Sequence, residues 1–266
     1  MGTTTKSGFT VIETMLFLAI SGALIVALLV GSGTSINTQR YHDSVVGLQS
    51  ELQNQYFQVT NVSNVPPSGA LSCGTNAQVV IDDLSQPSAR GQDDCVILGR
   101  FITIDKDGLT VDTVIGNDPS NNGSNLPSYS NDIDELNAYN FSVLPDHADV
   151  YNLEWGSQIA RPSIIDGTKN GSTTPRSFSM LIIRSPTSGR TYTFTADGII
   201  DSSKLKSDLL VTGTGTSGHQ AEHRLCIASG SSFSQNMAVF IKAYASSANA
   251  IEVRSNDVDK GSNTSC

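Results

Sequence analysis

The sequence predicts an α+β protein: a long N-terminal α-helix, half transmembrane and half amphipathic, packed on a β-rich globular head of antiparallel strands. Three observations carry this reading. Residues 9–30 form an apolar run in which Glu13 is the only charge. Tyr41, Val45, Leu48, Leu52, Tyr56 and Val59 then recur at spacings of three and four, which is one apolar stripe on a helix. Beyond Pro66-Pro67 the chain changes to short runs rich in β-branched and aromatic residues, separated by Gly, Asn, Asp, Ser and Pro. The organisation expected is a leader over residues 1–8, a transmembrane helix over 9–30, its amphipathic continuation over 31–63 and a head over 64–266.

The apolar run spans roughly 33 Å as a helix, enough to cross a bilayer core. Gly31-Ser32-Gly33-Thr34-Ser35 separates the two helical halves and is expected to interrupt or bend the helix, because Gly weakens a helix by about 1 kcal/mol relative to Ala. Asn64 to Gly69, with Pro66 and Pro67, should end it. Residues 96–104 and 109–115 flank Asp105-Lys106-Asp107-Gly108 and read as a hairpin. Residues 117–131 read as a long polar loop. Residues 133–144 fit either helix or strand, and residues 151–159 fit a strand or turn with Trp155 as a core anchor. A second hairpin pairs 178–184 with 190–195 across Ser185-Pro186-Thr187-Ser188-Gly189, and a further turn starts at Ala196-Asp197-Gly198. Residues 212–218 are a Gly-Thr loop, and 224–228, 237–244 and 250–254 are the last strand candidates. No internal repeat is present.

Charged residues make up only 15% of the 266-residue chain, with Ser, Thr, Asn and Gly abundant, as suits an extracellular β-rich surface. The net charge of −9 argues against a general nucleic-acid coat, since phosphate binding is driven by Lys and Arg. The four cysteines are Cys73, Cys95, Cys226 and Cys266. An even count in an exported chain suggests disulfides, and four allow three connectivities. Cys73–Cys95 and Cys226–Cys266 are preferred, because each pair falls within one segment. Such loops would each contribute roughly 3–4 kcal/mol in the chain-entropy model. A bond at Cys266, the last residue, would keep the end from fraying. No pair has CxxC spacing and the four His are scattered, so neither a metal site nor any cofactor is expected.

No catalytic set stands out. There is no Gly-x-Ser-x-Gly elbow, no His-Glu-x-x-His, no Walker loop and no dinucleotide fingerprint. Asp105, Asp107 and Gly108, and again Asp118, Asn121 and Asn122, resemble fragments of a calcium loop. Both lack the full ligand spacing and the distal Glu, and the first is better read as a hairpin turn. Asn-x-Ser/Thr sites at Asn61, Asn122, Asn140, Asn170 and Asn263 are expected by chance in so Asn- and Ser-rich a chain. His219, His223 and Arg224 cluster beside Gln220 near the Gly-rich loop, with Glu222 among them. The two readings are a DNA contact and a solvated strand edge.

The start of the chain is the most specific signal. Lys6-Ser7-Gly8-Phe9-Thr10-Val11-Ile12-Glu13 places a Gly-Phe pair at the polar–apolar boundary, with a carboxylate five residues into the run. A carboxylate in lipid costs on the order of 2.5–3.5 kcal/mol, so it needs a purpose. This pattern resembles the class III signal of type IV pilins and pseudopilins. The resemblance implies that a prepilin peptidase cuts between Gly8 and Phe9 and methylates the new Phe9 amine. It further implies that Glu13 pairs with the amine of a neighbouring subunit and sets the stagger of a fibre. Many members of that family carry a helix Pro that allows partial melting; this chain has none before Pro66, and the Gly-Ser segment would take that part. Phe194-Thr195-Ala196-Asp197-Gly198, Arg224-Leu225-Cys226-Ile227 and the terminal Cys266 resemble the head of H-type minor pseudopilins, from which residues 229–247 depart.

The function implied is that of a minor pilin-like structural subunit, not an enzyme. It would be held in the cytoplasmic membrane by one span and then assembled into a surface pilus or pseudopilus. Its partners would be the bilayer, the peptidase, an inner-membrane assembly platform, other pilin subunits, and a surface ligand or DNA met by the head. Two alternatives stay open: a DNA-binding minor pilin using His219, His223 and Arg224, and an anchored surface protein or hydrolase unrelated to pili. In the latter case Gly22-Ala23 or Gly31-Ser32 would serve as a conventional signal-peptidase site.

Overall fold

A computed structural model describes residues 10–61, 70–73, 79–82, 96–117, 129–144, 148–160, 164–165, 168–169, 177–210, 222–229 and 237–255. Helix α1 (Val11–Thr60) is a single element of 50 residues, about 75 Å long. It begins on Thr10 and closes where the Asn61 N–H donates to the Phe57 carbonyl at 2.8 Å. The expected break at Gly31–Ser35 does not occur. Ser32 Oγ donates to the Leu28 carbonyl at 2.9 Å and Thr34 Oγ1 to the Gly31 carbonyl at 2.9 Å. The hydroxyls that could have served a turn therefore bond back into the helix. The helix also stops three residues before the expected limit of 63.

Fourteen strands lie among the described residues: β1 (Ala70–Cys73), β2 (Val79–Asp82), β3 (Val96–Ile104), β4 (Gly108–Asn117), β5 (Asn140–Val143), β6 (Asp149–Asn152), β7 (Gln158–Ala160), β8 (Ile164–Ile165), β9 (Thr168–Lys169), β10 (Phe178–Arg184), β11 (Thr191–Asp197), β12 (His223–Ala228), β13 (Met237–Ile241) and β14 (Ile251–Ser255). A short helix α2 (Asp132–Ala138) precedes β5, so the ambiguous stretch 133–144 contains both a helix and a strand. The head is thus an antiparallel β structure, and with α1 the fold is α+β.

The larger sheet runs β11-β10-β3-β4-β5, and β6 joins β4 farther along the edge that β5 uses. The second main sheet, the smaller of the two that enclose α1, runs β14-β13-β12-β7, while β1–β2 and β8–β9 are separate two-stranded pairs. Both expected hairpins are present as β3–β4 and β10–β11. In the larger sheet successive side chains point to opposite faces. Ile102, Ile104, Phe178, Met180 and Ile182 face α1, while Phe101, Leu181, Ile183 and Phe194 face the other side, where Leu136 of α2 and Leu205 and Leu209 of a π-helical turn cover them. The α1 side is shared with Leu225, Ile227, Val239, Ile241 and Ile251 of the smaller sheet. The second half of α1 is therefore a common core element for both sheets.

A β-bulge at Leu98 kinks β3, with pairing shifting between Ile97 and Gly99. A Cβ on Gly99 would stand 1.9 Å from the Ile182 carbonyl oxygen, so only glycine lets the strands close there.

Candidate functional site

The first half of α1 is bare. Between Val11 and Val30 every large apolar side chain is at least half exposed, and none of the membrane-length apolar window is buried. Each such side chain gains about 1.5–3 kcal/mol when taken out of water, so a stalk of this composition belongs in lipid or against other apolar helices. Its length and composition suffice to cross a membrane.

Glu13 sits at the start of this stalk and closes on the chain's own N-cap. The Glu13 N–H donates to Thr10 Oγ1 at 3.3 Å, and Glu13 Oε2 accepts from the Thr10 N–H at 3.1 Å and the Thr10 hydroxyl at 3.2 Å. This is a capping box, which satisfies helix N–H groups that have no partner in the preceding turn. It also sets a carboxylate at the positive end of the helix dipole. Thr10 was not singled out from the sequence, although Thr-x-x-Glu ahead of an apolar run carries that signature. Gly8 and Phe9 lie outside the described residues.

Where the bare half ends, α1 enters the head. Tyr41 is its first buried residue, and its hydroxyl donates to the Ile227 carbonyl at 2.7 Å while accepting from the Met237 N–H at 2.7 Å. Burial raises its pKa, a trend the Met237 N–H opposes. One residue before this bridge, the Arg40 guanidinium lies 4.7 Å over the Trp155 ring. Trp155 is 56% exposed and is not the core anchor expected from its size. It stands in a tight turn in which the Ser157 N–H reaches the Glu154 carbonyl at 3.2 Å, with Trp155 and Gly156 both at positive φ (60° and 68°). That geometry turns the indole outward.

Of the basic cluster, the two described members, His223 and Arg224, do not share an exposed face. His223 is buried, and its ring packs against Phe178 at 5.2 Å, because its position on β12 faces α1. Arg224 faces the other way, its guanidinium 5.8 Å from the Phe240 ring, which Arg254 also covers at 4.3 Å. Arg254 is paired with Glu222 at 3.4 Å and Glu252 at 3.1 Å, and Lys242 is bonded to Glu252. The positive charges next to Arg224 are thus matched by carboxylates of the same chain. His219 lies outside the described residues.

Cys226 is buried on β12, and its sulfur is bonded, not a free thiol. Cys73 ends β1, and Cys95 and Cys266 lie outside the described residues. Asp105 holds its own turn, accepting from the N–H groups of Asp107 at 3.0 Å and Gly108 at 3.1 Å, in line with the turn reading. Asp118, Asn121 and Asn122 lie outside the described residues. No metal-holding group of His, Cys, Asp or Glu is found among the described residues.

Acidic side chains instead serve the scaffold. Glu135 of α2 is buried and accepts from Ser185 Oγ at 2.6 Å, the Thr187 N–H at 3.2 Å and the Thr187 hydroxyl, which locks the β10–β11 turn. Asp132 accepts from the Tyr192 hydroxyl at 2.6 Å and Ser188 Oγ at 2.7 Å, and the Tyr192 bond above all holds its carboxyl below the usual range. Asp112 shifts the other way, raised by burial and then by the nearby Asp149 charge.

What the fold and site define is a class: a β-rich α+β head carried on a helix whose free half is long and apolar enough to cross a bilayer. Compared with protein-family models, curated proteins and solved structures, the chain matches none.

Proposed function

We propose that this chain is a type IV pilin-like structural subunit of the minor kind. It is held by residues 9–30 in the cytoplasmic membrane, freed of its leader between Gly8 and Phe9, and drawn into a fibre in which the bare helix halves pack together. The observation that carries the reading is the division of α1. The head encloses only the half from Tyr41 onward, leaving an apolar stalk headed by a single carboxylate. A stalk that must move from lipid to a helix bundle needs an apolar surface on all sides and no contact with its own head. In this reading the head faces outward and meets a surface ligand, and a Cys226–Cys266 bond ties down the C-terminus.

The capping box gives Glu13 an intrachain role that must be separated from pairing with a neighbour's amine. Glu13→Gln does so, because Gln keeps the hydrogen-bonding geometry of the box but carries no charge. We expect this variant to insert in membranes and lose its leader normally, yet to enter fibres at least about tenfold less well, the equivalent of about 1.4 kcal/mol of lost charge pairing. Normal incorporation would leave Glu13 a cap and nothing more. The processing step is read by intact-mass spectrometry of membrane-extracted protein. An N-methylated Phe9 start supports the reading, and an intact Met1 or a start beyond Gly22 overturns it.

A further inference from the structure

We infer that Trp155 and Arg40 form a headgroup-level rest by which the base of the head docks on the bilayer that its own helix spans. The inference takes as given that the bare half of α1 is in a membrane. No charge occurs between Glu13 and Arg40, an interval of about 40 Å of helix. A bilayer with its headgroups is about 40–45 Å thick. With the span of residues 9–30 in the hydrocarbon core, Arg40 is the first charge beyond it on the head side, and its long side chain can reach back to the headgroup layer.

Side chains on a helix lean toward its N-terminus, so the Arg40 guanidinium and the indole it covers reach back from the Arg40 backbone toward the lipid. Tyr41, the next residue, is already buried, so Trp155 occupies the membrane-proximal rim of the head. Trp is favoured at that depth, where the ring sits among headgroups and the N–H stays hydrated. Arg40 supplies a cation at the height of the lipid phosphates.

Two further facts favour lipid as the occupant. Trp155 adopts φ 60°, a conformation in which a bulky residue is uncommon and strained, and this strain aims a large apolar ring at solvent. The 105–108 turn is bonded to this one through Leu153 N–H to the Asp107 carbonyl and Ile159 N–H to the Lys106 carbonyl, so the nearby charges, Asp105, Lys106, Asp107 and Glu154, are mostly acidic, which disfavours an anionic surface and points to zwitterionic phospholipid.

Trp155 is the only tryptophan of the chain, so its fluorescence reports this contact alone. The full chain is reconstituted in phosphatidylcholine vesicles and compared with vesicles brominated either near the headgroups or deep in the acyl chains. Flotation of the protein with the vesicles is scored in the same samples. The expected result is blue-shifted emission and about twofold quenching by the shallow bromines, with little by the deep ones, as an interfacial ring requires. Arg40→Ala should float equally well and lose most of that quenching. Co-flotation with water-like emission and no shallow quenching overturns the docking. Failure to float overturns the membrane reading, and the docking with it.

Discussion

The two halves of α1 share one backbone and two different solvents. Over residues 11–40 the apolar side chains point in all directions and stay exposed. Over residues 41–60 the apolar side chains fall mainly on one stripe whose members are at most 3% exposed, with Val46 and Phe57 left outside it on the exposed side. Helix formation therefore does not decide burial here; the angular spread of apolar residues does. A stripe specifies one packing partner, and both sheets of the head are built around it. An all-round apolar surface specifies an environment, lipid or a ring of similar helices, and no particular contact within the chain. Tyr41 and Arg40 mark the changeover within a single step of sequence.

The largest effect expected from this contrast compares two leucines. Leu48 is fully buried in the core that joins α1 to both sheets, whereas Leu24 is 60% exposed on the stalk. Leu48→Ala should cost about 2–5 kcal/mol of head stability through lost burial and the cavity left behind. Leu24→Ala should leave the unfolding free energy of the detergent-solubilised protein in urea within about 0.5 kcal/mol of the parent. Equal losses would mean that the halves are not energetically separate.

A smaller effect is expected at the boundary. Tyr41→Phe removes only the hydroxyl that bridges Ile227 and Met237, leaving a buried N–H and carbonyl without that partner. The loss should be about 1–3 kcal/mol in urea unfolding of the full chain, with hydrogen exchange fastest at Met237. A loss spread evenly over the head would argue that the hydroxyl is not what joins the helix to the β12–β13 pair.

Much of this architecture was legible because it is periodic. The stripe from Tyr41 to Val59 and the alternation in β3, β4, β10 and β11 are local patterns, and each pairs with a local turn. What the sequence did not disclose is mostly non-local. That β10 inserts between β3 and β11, or that β7 joins β12, depends on which strands meet across long separations. Strands as short as β5 and β6 leave too few residues to show alternation. Trp155 was misread because bulk suggests a core position, while the two residues at positive φ in its turn reverse that expectation. The Gly-Ser segment was misread because propensity alone ignores hydroxyls that bond back to the helix. At Glu13 the charge was evident, but its first partner, Thr10, was overlooked beside the more specific boundary motif.

The smallest effect, and the sharpest, concerns two glycines of the same helix. Gly33 lies in the bare half with nothing within 4 Å of where a Cβ would stand, so Gly33→Ala should strengthen the helix by about 1 kcal/mol. Amide exchange around that turn in micelles should slow by about fivefold, which is the same energy expressed as a ratio. Gly47 lies in the enclosed half, where a Cβ would stand 2.6 Å from the Tyr151 hydroxyl oxygen. The same change there sets an equal gain in helix propensity against displacement of a packed ring. We expect Gly47→Ala to be destabilising by about 1 kcal/mol in urea, in the range for overpacking. The next atom of Tyr151, its Cζ, is 3.9 Å from that Cβ, an ordinary contact. In a Tyr151→Phe background the sign should therefore reverse, and Gly47→Ala should become stabilising. The coupling energy of that double-mutant cycle isolates the hydroxyl contact from the propensity common to both glycines. If Gly47→Ala instead stabilises the parent as Gly33→Ala does, Tyr151 can yield at no cost, and the head does not hold the helix as tightly as its burial implies.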